Sequence, residues 1–325
     1  MEDMLSYLDL ELLLIRHHSV QDCDPVWIAD PICPAQERSI LKWEICWGIM
    51  KYRAEEYLLV IRAGHPHSGY LRDLWHYREL FLILAWRDII VRYKQTAIGI
   101  AWSIIRPLLG MIVFTVVFKK IANLPSDDVP YPLTVYAAML IWQFFCNTVS
   151  IGSESLLNNS KLISKVYFPR LIIPSTCMMV SLTDFLISAL VSVPLFVYYR
   201  YLPGWEVVFI PFFIFLTSLL SLGTTYILSA LNVKFRDFRF VVPFALQFGI
   251  YISPVGFTST VIPESWRFWF SLNPLVGIID GIRWALFQTP LYLPSLFLSV
   301  AVSLLLFVCG YFIFRSIERE FADVI

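Results

Sequence analysis

The sequence predicts an all-α polytopic membrane protein, with six transmembrane helices, an N-terminal amphipathic interfacial helix and short re-entrant helices on the periplasmic side. Three observations carry that fold class. Hydrophobic residues make up 58% of the 325-residue chain and charged residues 15%, where a soluble protein carries roughly a quarter charged. The mean hydropathy is +0.67. From residue 103 onward, apolar windows of the ~20 residues needed to cross a ~30 Å hydrocarbon core follow one another. A net charge of zero offers no bulk attraction for nucleic acid.

Residues 1–70 read as a cytosolic N-terminal segment of different composition, with Cys, His, Trp and acids but no spanning run. Its start, MEDMLSYLDLELLLIRHH, carries acids where a secretory signal carries Lys or Arg. Met50 begins MKYRAEEYLLVIRAG, a sensible cytosolic N-terminus, so residues 1–49 are expected to be either an added cytosolic segment or an upstream start-site extension. The HPH at 65–67 reads as a turn rather than a metal site. Cys23, Cys33, Cys46, Cys146, Cys177 and Cys309 form no C-x-x-C pair and read as unpaired thiols.

Residues 71–102 form the interfacial region. On a helix over 86–98, Trp86, Ile90, Tyr93 and Ala97 share one face, while Asp88, Arg92 and Gln95 share another, with Asp88 and Arg92 spaced for an i,i+4 pair. Such a helix lies along a membrane surface or serves as a plain anchor. The spanning domain, 103–314, divides into spans over about 103–121, 133–152, 171–199, 207–231, 240–257 and 292–314. The third is long enough to tilt or kink at Pro174 and Pro194. Between the last two spans, VIPESWRFWFSLNPLVGIIDGIRWALFQ is apolar yet broken by prolines and charges, which suits short re-entrant or interfacial helices. A tail, 315–325, closes the chain.

Lys and Arg in the short loops set the orientation. Arg87, Arg92, Lys94, Arg106, Lys161, Lys165, Arg170, Lys234, Arg236, Arg239, Arg315 and Arg319 fall on one side. They outnumber Lys119, Lys120, Arg200, Arg267 and Arg283 on the other, which places both termini in the cytoplasm.

Several blocks resemble one family in its order. LRDLWHYRELFLILAWRDIIVRYKQTAIGIAWSIIRPL is similar to the interfacial helix and first-span approach of permease subunits of type-2 ATP-binding-cassette exporters, in the branch that exports O-antigen, capsule and teichoic-acid polysaccharides. The resemblance continues through NNSKLISKVYFPRLIIP, NVKFRDFRFVVPFALQFGIYISPVGF, SLNPLVGIIDGIRWALF and the terminal IEREFADVI. It covers residues from about 70 to 325 and leaves 1–49 without a counterpart.

The resemblance implies a transport permease rather than an enzyme, working as a homodimer at the bacterial inner membrane. Its load is a lipid-linked polysaccharide. The chain lacks a P-loop, since no Gly is followed by Lys, so ATP and Mg are expected on a partner ATPase subunit and no cofactor on this chain. The loop SLLNNSKLISKVYFPR is the implied coupling element, with 155–165 forming about three turns before Pro169. Lys161, Lys165 and Arg170, together with Arg87, Asp88 and Arg92, are the implied ATPase-facing groups. Arg92, Lys94 and Arg106 are candidates for the substrate pyrophosphate, with snorkelling to lipid phosphates as the alternative. Trp102, Tyr136, Trp142, Phe144, Phe145, Phe248 and Tyr251 are candidates for an aromatic-lined sugar conduit, with an interfacial aromatic belt as the competing explanation.

In the fifth span, Pro243, Gly249, Pro254 and Gly256 allow a bend, and carbonyls freed near Gly249 and Ile250 need partners. Asn273 can cap a helix beginning at Pro274, with Asp280 and Arg283 one turn apart. By resemblance, Asn273, Asp280 and Arg283 belong to a gate at the periplasmic mouth. Asp184 stands alone in the third span and needs a partner or water there, a structural hydrogen bond being the first reading. No catalytic constellation or metal site is evident. The alternatives are a drug or small-molecule exporter permease of the same architecture, a membrane glycan ligase, or a secondary carrier.

Overall fold

The computed structural model describes residues 70–94, 99–121, 129–318 and Phe321. The expectations for residues 1–69, and for Gln95, Ala97 and Arg319, lie outside the described residues. All regular elements among the described residues are helical. Helices α1 (Tyr70–His76) and α2 (Arg78–Lys94) precede the spans. Helix α3 (Gly99–Phe114) opens them and continues as π-helical turns through Ile121.

Helix α4 (Tyr131–Asn158) lies at the centre. Pro130 and Pro132 flank its first residue, where a missing N–H costs nothing. Its largest fully buried side chains are Tyr136, Ile141, Phe144 and Leu156, and the helix packs chiefly against α5 (Ile172–Leu190) and α7 (Ile210–Lys234). The chain breaks between α5 and α6 (Ser192–Tyr199). Pro194 has no N–H to give the carbonyl of Leu190, so the expected kink falls there. Pro174 sits in the first turn of α5, where proline is tolerated, and makes no kink.

Among the described residues, five stretches are long and apolar enough to cross a membrane: Ile100–Ile121, Tyr131–Asn158, Ile172–Tyr199, Trp205–Lys234 and Leu293–Ile317. The segment read as a fifth span at 240–257 folds instead as α8 (Phe238–Ile252), 15 residues, or about 22 Å at ~1.5 Å per residue. Beyond it, α9 (Glu264–Phe270) and α10 (Pro274–Phe287) are short, and α11 (Leu293–Ile317) returns through the bundle.

Between apolar helices in lipid, association rests on close packing rather than on water exclusion, which favours small residues at crossings. Helices α7 and α11 follow that rule. At Gly223 a Cβ would lie 2.5 Å from the Phe307 amide nitrogen, and Gly310 packs on the Gly223 backbone. Ser295, Ser299 and Ser303 extend the buried seam of α11. Ser299 also accepts a bond from the Gly277 N–H at 3.1 Å, tying α10 to α11.

Candidate functional site

Ser181, Asp184, Phe185 and Ser188 fall on one face of α5, and Leu140, Gln143, Phe144 and Asn147 on one face of α4, both at i, i+3, i+4, i+7 spacing. These faces and the start of α3 enclose a cleft of about 230 Å³, with Arg92, Trp102, Ser103 and Arg106 also in its lining. The cleft is polar because Gln143, Asn147 and the α5 hydroxyls face inward among apolar helices.

A carboxylate this deep costs several kcal/mol unless paired. Asp184 is 4% exposed and receives three partners from the N-terminal side. Arg92 lies 2.6 Å from one oxygen. The Tyr93 hydroxyl donates to the other at 2.5 Å, and Ser103 donates to it at 2.7 Å. The Ser188 hydroxyl reaches the Ser103 carbonyl at 2.5 Å, so α5 grips α3 twice. Burial, then the bond to the Asp184 carboxylate, pushes the Tyr93 phenol up to about 12, so it stays a donor at neutral pH.

This corrects the local pairing read for α2. Asp88 pairs with its neighbour Arg87 at 2.8 Å, while Arg92 crosses to Asp184. The physical reason is desolvation: a buried carboxylate gains more from a guanidinium than a surface i,i+4 partner does. Leu84 and Ala85 are buried, Trp86, Ile83 and Leu82 are exposed, and Asp88 and Arg92 are half-buried.

With Arg92 and Asp184 neutralising each other, Arg106 sets the net charge of the lining. Its guanidinium lies 6.0 Å from the Trp102 ring centre. Lys94 is exposed and outside the lining.

At the same end of the bundle, Arg87 also donates to Asn159 at 3.3 Å, joining α2 to the loop after α4. That loop is not one continuous helix over 155–165. Helix α4 stops at Asn158 and a single turn, Ser160–Ile163, follows, with the Asn159 side chain also donating to the Ser155 carbonyl at 2.9 Å. Lys161 and Lys165 are exposed. Arg170 is half-buried: its backbone N–H meets the Glu318 carboxylate at 3.2 Å, its guanidinium donates to the Glu318 carbonyl at 2.6 Å, and it lies over Phe321. Arg170 therefore anchors the C-terminus.

The aromatic candidates separate by exposure. Tyr136 is in the core, its hydroxyl donating to the Ser188 carbonyl at 2.7 Å, and Phe144 is buried beside Phe185. Trp142 packs its ring on Gly249 of α8, where a Cβ would sit 2.7 Å from the indole, and Phe145 stands 6.1 Å from it. Trp102, Phe248 and Tyr251 are exposed. The sequence reading missed Phe240 and Phe244, which continue the Phe248 and Tyr251 stripe along α8 at i,i+4 spacing.

At the opposite end of α11, Asn273 caps α10 by accepting from the Leu275 N–H at 3.1 Å, and its amide donates to Ser253 at 3.1 Å. The Gly249 carbonyl accepts from the Ser253 N–H at 3.0 Å, while Pro254 has no N–H to offer the Ile250 carbonyl; beyond the helix, the carbonyls of Val255, Gly256 and Phe257 meet side-chain donors. Arg283 donates to Val255 at 3.1 Å and Phe257 at 3.0 Å, and Tyr131 donates to Gly256. Arg283 lies 3.8 Å from Asp280. Asn273, Asp280 and Arg283 are thus gathered around one irregular segment.

An all-helical bundle with five membrane-length helices among the described residues and polar groups held inside it defines a multi-pass membrane protein. The chain belongs to the ABC-2 type transporter family, which matches residues 79–287. It is 30% identical over 260 residues to the O-antigen export system permease protein RfbA of Myxococcus xanthus, covering 78% of this chain and 98% of that protein. It is 27% identical over 258 residues to a protein of the same name from Klebsiella pneumoniae, covering 79% and 96%. The putative transport permease ycf38 of Cyanophora paradoxa is 22% identical over 286 residues, covering 81% and 97%.

Proposed function

We propose that this chain is the permease subunit of an exporter that moves a lipid-linked polysaccharide of the O-antigen type from the cytoplasm across the bacterial inner membrane. The observation that carries the cargo is the likeness to permeases named for O-antigen export, which runs through 98% of one such relative. A separate ATPase subunit binds ATP and Mg and supplies the energy; two copies of this chain assemble around the path.

In this reading both termini and α2 face the cytosol. The sixth crossing is α8 together with the irregular turn over 253–257 that follows it. Lys161 and Lys165, on the loop held to α2 by the Arg87–Asn159 bond, meet the ATPase. Displacement of that loop moves α2, and the Arg92–Asp184 pair carries the motion to α5. Arg106 binds the pyrophosphate by charge-assisted hydrogen bonds, with Trp102 beside it. Phe248 and Tyr251 offer ring faces to passing sugars, which they stack without gripping. Asn273, Asp280 and Arg283 stiffen the outer gate.

Deletion of the gene in its host tests this. Surface polysaccharide should disappear while lipid-linked glycan accumulates in the cytosol-facing membrane, and the Arg106→Ala chain should fail to restore it. Unchanged surface polysaccharide in the deletion strain would reject the reading.

A further inference from the structure

The polar cleft between α3, α4 and α5 holds more hydrogen-bonding capacity than the protein itself uses. Of its three serines, Ser103 donates to the Asp184 carboxylate, Ser181 to the Cys177 carbonyl at 3.0 Å and Ser188 to the Ser103 carbonyl. Those hydroxyls spend their hydrogens on the helices around them. Gln143 and Asn147 do not. Both line the cleft and are half-buried, so their amides are reachable from it, and neither carboxamide hydrogen-bonds to another group among the described residues. They stand one turn apart on α4, with Cβ atoms ~5–6 Å from each other.

Arg106 completes the set. It is exposed, lines the same cleft and has no ion-pair partner among the described residues. The one carboxylate of the lining, Asp184, is already met by Arg92 at 2.6 Å. What the cleft offers a visitor is therefore one uncompensated guanidinium and two carboxamides. The remaining walls, Trp102, Leu140, Phe144 and Phe185, are apolar.

Donors around a positive charge select an anion, to which hydrogen bonds are the stronger kind. A free sugar would engage the amides but leave Arg106 uncompensated. A metal ion is not matched, since no cluster of three His, Cys, Asp or Glu side chains occurs among the described residues. The apolar walls suit the hydrocarbon next to an anionic headgroup. A volume of about 230 Å³ lies below the ~300 Å³ and above of pockets that enclose whole ligands, which fits a headgroup whose chain runs out into the bilayer.

We propose that Gln143 and Asn147, with Arg106, bind the phosphoryl headgroup of a lipid. Two lipids carry that chemistry: the polyprenyl pyrophosphate of the cargo and an anionic phospholipid of the bilayer. A phosphodiester has only two unesterified oxygens, whereas a pyrophosphate presents enough for three separate donor groups at once. The carboxamides thus favour the cargo over bulk lipid. This preference rests on the export reading and adds two neutral, specificity-determining side chains to it.

The test uses the full chain in phosphatidylcholine nanodiscs, titrated with polyprenyl pyrophosphate carrying no sugar or with phosphatidylglycerol. Native mass spectrometry reads bound lipid for wild type, Gln143→Leu, Gln143→Glu and Asn147→Leu, and thermal unfolding is read alongside. Each variant is expected to bind the pyrophosphate lipid about tenfold more weakly. The leucine variants should unfold no earlier than wild type, because no protein hydrogen bond is lost. Gln143→Glu keeps the shape while replacing the N–H donors with negative charge, so weaker binding there cannot come from a badly fitting leucine. Amides with a purely structural role would give a lower unfolding midpoint and unchanged binding, which overturns the proposal. So does a wild-type chain that binds neither lipid. Loss confined to the pyrophosphate lipid assigns the site to the cargo; equal loss of both lipids keeps the phosphoryl site and assigns it to the bilayer. The gene deletion separates the two readings: if deletion abolishes surface polysaccharide while every variant binds lipid as wild type does, this site fails and the export reading stands.

Discussion

The guanidinium of Arg92, on the helix before the spans, lies 2.6 Å from the carboxylate of Asp184 within the third span. Removing Arg92 leaves the buried Asp184 carboxylate without its countercharge, held only by the Tyr93 and Ser103 hydroxyls. Arg92→Ala should destabilise the protein by about 2–4 kcal/mol, somewhat below the ~3–5 kcal/mol of a fully buried pair, because Arg92 keeps 31% of its side chain exposed. The double variant Arg92→Ala with Asp184→Asn should recover part of that loss. Thermal unfolding of the purified variants in one detergent checks this, and additive losses would mean that the two side chains do not cooperate.

The α7–α11 crossing makes a second prediction. Gly223→Ala drives a Cβ to 2.5 Å from backbone at Phe307, where nothing flexible can yield. Overpacking of this kind costs about 1–3 kcal/mol. Gly204→Ala is the comparison, because the atoms it meets belong to the Glu206 and Gln288 side chains. A lower unfolding midpoint is expected for Gly223→Ala alone.

Aromatic substitutions should divide by burial. Trp142→Ala empties space against Gly249 and should cost about 3–5 kcal/mol of stability, so any export defect it shows will accompany lower protein levels. Phe248→Ala and Tyr251→Ala remove exposed rings and should reduce surface polysaccharide at normal protein levels. Quantitative immunoblots beside glycan staining distinguish the two patterns; normal glycan in both exposed-ring variants would take α8 out of the sugar path.

Reversing charge at the loop after α4 should uncouple the machine. Lys161→Glu with Lys165→Glu alters two exposed cations and should leave folding within about 0.5 kcal/mol, while recovery of the ATPase with the tagged chain falls about tenfold. Arg170→Glu should behave differently, lowering the unfolding midpoint, since Arg170 holds Glu318 rather than facing outward.

Local chemistry was legible in the sequence wherever the partner lies within a turn or two. Asn273 before Pro274 announced the α10 cap, Asp280 and Arg283 announced their pairing, and Pro194 marked the break at Val191. What sequence spacing misplaced depends on distant partners. Arg92 looked like the i,i+4 mate of Asp88, yet its true partner stands far along the chain, and only burial makes Asp184 the stronger claim. Ser181 and Ser188, one turn either side of Asp184, were the available sign of a polar face on α5. The stretch 155–165 looked continuous because no Pro or Gly interrupts it, and the break at Asn159 carries no such marker in the sequence. Helix α8 ends five residues before the expected span does, because the apolar residues past Ile252 form a turn whose carbonyls are met by Arg283 and Tyr131.

The most direct measurement is ATP-driven translocation in proteoliposomes that contain this chain, the ATPase that co-purifies with it, and the host's lipid-linked polysaccharide. Lectin accessibility of the glycan on the trans side reports transport. The reading proposed here requires accessibility to rise with ATP and Mg, and to stay at background without ATP or with the Arg106→Ala chain. Glycan that crosses equally well without ATP, or fails to cross with a fully active ATPase present, would contradict it.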